Sequence, residues 1–222
     1  MLKKIVCFLL GDKQKQNTPK NWREAMRQEQ GNQPNVFYDA VISRRKPYWD
    51  EAKKQAFIDV QKLKIAECIP KDVLKDLSDK AVTGVDRTDV TREDIEKYFP
   101  TTKKGDLQYI ASSIMLTARF FWEKKESQAA GCSLYVWSSA CDKHKHLNNL
   151  IVDFDVPLPT SITKDDSVIG PIHAGQGYRC TCDAIPIISQ SDLPYAPLKM
   201  FNGAKIVRVS KKDIVKKFKI EK

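Results

Sequence analysis

All three histidines of this chain, and four of its six cysteines, fall between Cys132 and Cys182. They concentrate in two short pieces, Cys141-Asp142-Lys143-His144-Lys145-His146 and Pro171-Ile172-His173-Ala174-Gly175-Gln176-Gly177-Tyr178-Arg179-Cys180-Thr181-Cys182. Thiolate and imidazole are the donors zinc prefers, and a structural zinc takes four of them. Cys141, His144, His146, His173, Cys180 and Cys182 are therefore the candidate metal ligands, with zinc the metal expected. The spacing is not that of a standard finger, because no C-x-x-C pair occurs. Two other readings stay open on the residues alone. The histidines could bond to backbone carbonyls while the cysteines serve as small buried apolar groups. Alternatively, Asp142, His144, His146 and His173 could form the metal site of a nuclease or other hydrolase, or Cys180 and His173 a thiol–imidazole pair. Neither catalytic arrangement comes with an oxyanion-hole or phosphate-loop signature, and Gly175-Gln176-Gly177 lacks the helix that follows a phosphate loop. The expectation is a protein that is not an enzyme, with no catalytic residues.

The elements that must position these residues read as helices first and strands later. Apolar residues near helical spacing predict a helix over Asp50–Ala66, and a short one follows Pro70 over Asp72–Leu77. Thr91 can cap a helix whose first turn carries Glu93 and Asp94. Leu107, Ile110, Ala111, Ile114, Ala118 and Phe121 follow i, i+3, i+4, i+7 spacing and predict a long helix over Gly105–Ala130, stopped by Gly131. Phe120-Phe121-Trp122 on that helix reads as core. Ser133–Ser138, Leu150–Phe154 and Asp183–Ile188 read as strands, the last at a sheet edge because of Pro186. Lys199–Phe201 and Ala204–Val209 form a hairpin signal around Asn202-Gly203, which favours a type I′ turn. Ser210 and Asp213 resemble a capping box before a helix over Lys211–Phe218.

The fold class is thus α+β. A mainly helical region spans residues 1–100 and includes a polar flexible arm at about 11–35, with a short helix over Trp22–Gln28. A small α+β domain spans 101–222, with short antiparallel strands, a Cys/His metal staple, and a hairpin and basic helix at its end.

Length and composition bound the rest. A chain of 222 residues, 41% hydrophobic and 30% charged, is long enough for a real core and has no apolar run of transmembrane length. The first ten residues, MLKKIVCFLL, mimic a signal peptide, but their apolar part is short and no small-x-small cleavage site follows. The cysteines are too sparse for a disulfide scaffold, so a reducing compartment is expected. The net charge of +10 is unevenly placed: residues 105–198 carry −3 and residues 199–222 carry +7. A basic tail suits a polyanion partner, nucleic acid above all, or else a solvated lysine-rich helix. The residues that would contact it are Lys205, Arg208, Lys211, Lys212, Lys216, Lys217 and Lys219.

Read in order, residues 95–220 resemble the phage Mu F-like minor head protein (head morphogenesis) family. The resemblance lies in a helix, the aromatic strand Tyr135-Val136-Trp137-Ser138-Ser139, Asp142 with His144, apolar Leu150-Ile151-Val152, and a closing motif. In that motif His173, Gly175, Cys180, Cys182 and Pro186 match position by position; Ala174 replaces a proline and Thr181 an arginine. His144 rather than His146 takes the family position, since Leu150-Ile151 then falls where the family's apolar pair falls. The resemblance implies a structural minor capsid component of a tailed bacteriophage. Such a protein binds the portal and other capsid components during head assembly, and contacts double-stranded DNA during packaging or ejection. Its place would be the capsid interior or portal vertex of the virion, after assembly in the host cytoplasm, with no membrane partner. The alternatives carried beside it are a metal-dependent nuclease or hydrolase, and a zinc-stabilised nucleic-acid-binding protein anchored by residues 199–222.

Overall fold

The computed structural model describes residues 36–84, 90–195 and 197–220. The segments expected to form a flexible arm and its short helix, and the apolar first ten residues, lie outside the described residues. The chain divides into two compact units, Met1–Ala40 and Val41–Lys222. Of the first, only residues 36–40 are described, at the start of helix α1 (Val36–Arg45). The second unit spans residue 100, and helices on both sides of it share one core.

That helical core is built from α2 (Trp49–Val60), α3 (Lys71–Thr83), the single turn α4 (Arg92–Ile95) and the long α5 (Lys104–Ala129). Ala52, Ala56 and Val60, spaced by four, put small side chains on the buried face of α2. The helix stops six residues short of the expected Ala66. From Lys62 the backbone turns to pair with another segment: Lys64 N–H donates to Ser167 O at 2.9 Å and Ile169 N–H to Lys62 O at 2.6 Å. Helix α3 runs well past the expected Leu77, since Ala81 and Val82 continue its buried stripe. The Thr91 cap forms as a capping box, with Thr91 N–H donating to Asp94 Oδ2 at 2.8 Å. Gly131, at φ +81°, ends α5 in the left-handed region where a side chain would be strained.

Helix α5 is the shared wall of two cores. Leu107, Ile110, Ala111, Ile114, Ala118, Phe121 and Trp122 face the helices, and Trp122 Nε1–H donates to Val82 O at 2.8 Å. Phe120 faces a sheet instead. That sheet holds β1 (Leu134–Ser138), β2 (Leu150–Asp153), β3 (Asp183–Pro186), β4 (Leu198–Phe201) and β5 (Ile206–Val209), in the order β3-β1-β2-β4-β5. Tyr135, Trp137, Leu150, Val152 and Phe201 line the face toward Phe120. Leu134, Val136, Ile151, Leu198 and Met200 line the other face and meet Ile214 of helix α7, which runs Lys211–Phe218. The intervening helix α6 is one turn, Thr160–Thr163.

The strands are not all antiparallel. β2 and β4 pair parallel, Leu150 with Lys199 and Ile151 with Met200. A parallel pair needs a long crossover, and residues 154–197 supply it, carrying β3 and the closing motif. The hairpin joining β4 and β5 is present, but its turn is not type I′, which needs positive φ at two successive residues. Here only Gly203 is positive, at +93°, and Asn202 closes the loop through its side chain, accepting from Ala204 N–H and Lys205 N–H. Ser210 caps α7, its hydroxyl accepting from Asp213 N–H at 3.1 Å.

Candidate metal centre

Four side chains meet at one end of the sheet, under the face covered by α5. Cys141 follows β1 and opens a 3-10 turn, Asp142–Leu147, which carries His144. Cys180 and Cys182 arrive from the closing motif, immediately before β3. Because β1 and β3 pair antiparallel, with Ser138 opposite Asp183, the end of one strand and the start of the other lie together. In extended chain the two cysteines of a C-x-C pair face the same way. Arg179, at φ +58°, and Gly177, at φ +144°, turn the chain ahead of the pair, and both thiols end on one side.

The donor atoms form a tight cluster. His144 Nδ1 lies 3.4 Å from Cys141 Sγ, 3.4 Å from Cys180 Sγ and 3.6 Å from Cys182 Sγ, and the Cys141 and Cys182 sulfurs are 3.3 Å apart. All four donors lie within 4.8 Å of one another. A tetrahedral zinc with thiolate bonds near 2.3 Å and an imidazole bond near 2.0 Å sets its ligand atoms about 3.5–3.8 Å apart. The residues therefore fit a metal ion with a small expansion of the sulfurs. His144, Cys180 and Cys182 are buried and Cys141 is half-buried.

The charges are arranged for the same purpose. Burial opposes a charged His144, but Asp165 and Cys182 outweigh it and raise the ring to about 9. Cys182 is shifted well down by its contact with Cys180, against burial and with help from His144, while the same contact pushes the Cys180 thiol strongly up. The charged His144 ring helps stabilise one thiolate, at Cys182, and a second would need further positive charge beside it. A divalent ion would supply that charge.

Behind the imidazole stands Asp165, which sequence reasoning did not single out. Its Oδ2 lies 3.2 Å from His144 Nε2, off-line for a strong hydrogen bond, and neither atom has another partner. Its Oδ1 accepts from Ser167 N–H at 2.9 Å, Ser167 Oγ–H at 2.6 Å and Lys143 Nζ at 3.0 Å. Burial works against this carboxylate, yet His144, Ser167 and Lys143 hold it well below the usual range. A carboxylate on the far nitrogen of a ligating histidine fixes the ring and its tautomer. The sequence signal was weak: Asp165 sits in a spacer beside Asp166, and nothing in the spacing separates the two.

The other two histidines stand apart. His146, on the same turn, points away and its Nε2 contacts Ile162 O at 2.9 Å. His173 is a core side chain. Its ring stacks on Phe120 with centroids 4.4 Å apart, its Nδ1 lies 3.2 Å from the Tyr135 hydroxyl, and its backbone N–H donates to Gln176 Oε1. The six candidate ligands thus reduce to Cys141, His144, Cys180 and Cys182. His146 meets a carbonyl and His173 is held by rings, as the reading of satisfied histidines would have it.

His173 gives a pH expectation of its own. Burial, then Lys124 and Lys62, push it down to about 3, against about 6.5 in an unfolded chain. Below pH ~6.5 the unfolded chain takes a proton that the folded chain refuses, so stability present above that pH drains away toward pH 3. The contribution is at most about 5 kcal/mol. Urea midpoints of the wild type and His173→Phe, followed from pH 7 to 4, should converge as the pH falls; parallel profiles would contradict this.

Comparison with known proteins gives no match: no family model, no curated protein and no solved structure is significantly similar to this chain.

Proposed function

We propose that this chain is a non-enzymatic minor head protein of a tailed bacteriophage, whose C-terminal domain is fastened by zinc at Cys141, His144, Cys180 and Cys182. The observation that carries the reading is a convergence. Residues from the two pieces on which the family resemblance rests, His144 from the first and Cys180 and Cys182 from the second, are far apart in sequence and meet, with Cys141, in one cluster. His144, the histidine placed at the family position, is the one in the cluster. Three thiolates and an imidazole would fill the four positions a structural zinc takes, and would leave none for a reacting water.

The hydrolase alternative has less to draw on. His146 and His173 are engaged elsewhere. A cleft of about 280 Å3 beside His173 is walled by Lys62, Lys124 and Lys125, but these pair with Asp59 at 2.6 Å, Asp155 at 2.6 Å and Glu51 at 3.2 Å. Such mutual pairing leaves no poised acid, base or nucleophile. In the role proposed, the partners are the portal and other capsid proteins. Double-stranded DNA would meet Lys205, Arg208, Lys211, Lys212, Lys216, Lys217 and Lys219. All seven are exposed, and none is in an ion pair among the described residues.

The test is fractionation of a phage lysate on a sucrose gradient, with the chain tracked by antibody. It should sediment with portal-containing procapsids and virions. Its absence from both, with the protein present in the soluble fraction, would end the head-protein reading while leaving the zinc question to elemental analysis.

A further inference from the structure

The sheet has two edges, and they are treated differently. β3 is largely half-buried and closed by Pro186, which has no N–H to offer. β5, Ile206-Val207-Arg208-Val209, is β-branched at three of its four positions and outermost in the sheet. Its pairing with β4 fixes which backbone groups are free. Asn202 N–H donates to Lys205 O at 3.2 Å, so these two residues form a hydrogen-bonded pair. Antiparallel pairs alternate between hydrogen-bonded and non-hydrogen-bonded. In the observed register Phe201–Ile206 and Lys199–Arg208 are therefore the non-bonded pairs. The N–H and C=O of Ile206 and of Arg208 point away from β4, toward open space. Ile206 is also an exposed apolar side chain, at 39%.

An unpaired edge of this kind is a template for another strand. We infer that the free edge of β5 is the docking site for an extended, acidic segment of a protein partner, added as a sixth strand. Charge selects the occupant. Lys199 and Arg208 face the same side across the strand pair, Lys205 immediately precedes β5, and Lys211 and Lys212 follow it, all exposed and without an ion pair among the described residues. A second copy of this edge would bring Arg208 and its lysines against their own kind, which is destabilising. DNA phosphates only accept hydrogen bonds, so they would leave the outward carbonyls of Ile206 and Arg208 unanswered. A strand with carboxylates at alternate positions answers both the backbone and the charge. This inference goes beyond the head-protein reading and does not depend on it.

The probe is a fluorescein-labelled alternating Val–Glu octapeptide, titrated into the full chain and followed by anisotropy and by amide hydrogen exchange. Binding should slow exchange at Ile206 and Arg208 about tenfold or more, and weaken as salt rises. A Val–Lys peptide should not bind, and Arg208→Glu should cut the affinity for Val–Glu at least about fivefold. The control is the same Val–Glu peptide N-methylated at alternate residues, which keeps its charge and loses its ladder donors. Equal binding by the methylated peptide would mean charge attraction alone and would overturn the inference. So would protection confined to α7, or protection of Ile206 and Arg208 by duplex DNA and not by the peptide.

Discussion

Cys182→Ala is expected to lose the metal and, with it, the ordered C-terminal half of the second unit. Purified wild-type chain should carry one zinc by elemental analysis, and the variant well under half of that. The magnitude is large because a site of this kind scarcely exists in the unfolded chain, so metal binding is folding free energy, about 10–16 kcal/mol in apparent terms for small zinc domains. A domain's whole net stability is only about 5–15 kcal/mol. The helical core around α2, α3 and α5 does not include the ligands and should survive. The core under the sheet includes Cys180 and Cys182 themselves and should not. Hydrogen exchange should therefore rise steeply in β1, β2 and residues 171–186 and much less in α2, α3 and α5. Chelation of the wild type should reproduce the same pattern. Full protection of β1 and β2 in a zinc-free variant would show that the cluster fastens nothing.

Gly177→Ala should be nearly as disruptive, through a residue that binds no metal. A Cβ at Gly177 would sit 2.7 Å from Asp165 Oδ2, and the backbone there is at φ +144°. Neither side can give way cheaply. The carboxylate is pinned by Ser167 twice, by Lys143 and by His144. The strain of that φ for a side-chain-bearing residue, with the clash, should cost about 3 kcal/mol. Because Asp165 orients His144, zinc affinity should also fall by roughly 10- to 100-fold in a competition titration. Gly105→Ala is the matched control: a Cβ there meets nothing within 4 Å, and the residue lies in the first turn of α5. It should be neutral or stabilising by about 0.5 kcal/mol. Equal melting temperatures for the two variants would refute the account of the Gly177 position.

What could be read from the chain, and what could not, follows physical lines. The long α5 stripe was legible because twenty-six residues repeat one period. The Ser210 cap and the extent of α7 were legible because local chemistry sets them. The end of α2 was not, since the spacing through Leu63 and Ile65 stays near helical. What ends the helix is a backbone pairing with residues 167–169, about a hundred positions away. The parallel pairing of β2 with β4 was hidden for the same reason. At the site, residue type named all four clustered donors and overcounted by two. Only tertiary structure separates His144, facing three sulfurs, from His173, stacked on Phe120. Asp165 was invisible because a carboxylate becomes significant only through what it stands behind.

The order of donors along the chain has a consequence for biogenesis. Cys141 and His144 leave the ribosome early, while Cys180 and Cys182 come only after the crossover that follows β2. During that interval the helical core can close and the β1–β2 hairpin can form, with half a chelate waiting exposed. Metal capture at this cluster would then be a late checkpoint. A zinc-starved cell would then be expected to accumulate chains that are half-built and sticky, susceptible to its proteases, rather than chains that are simply unfolded.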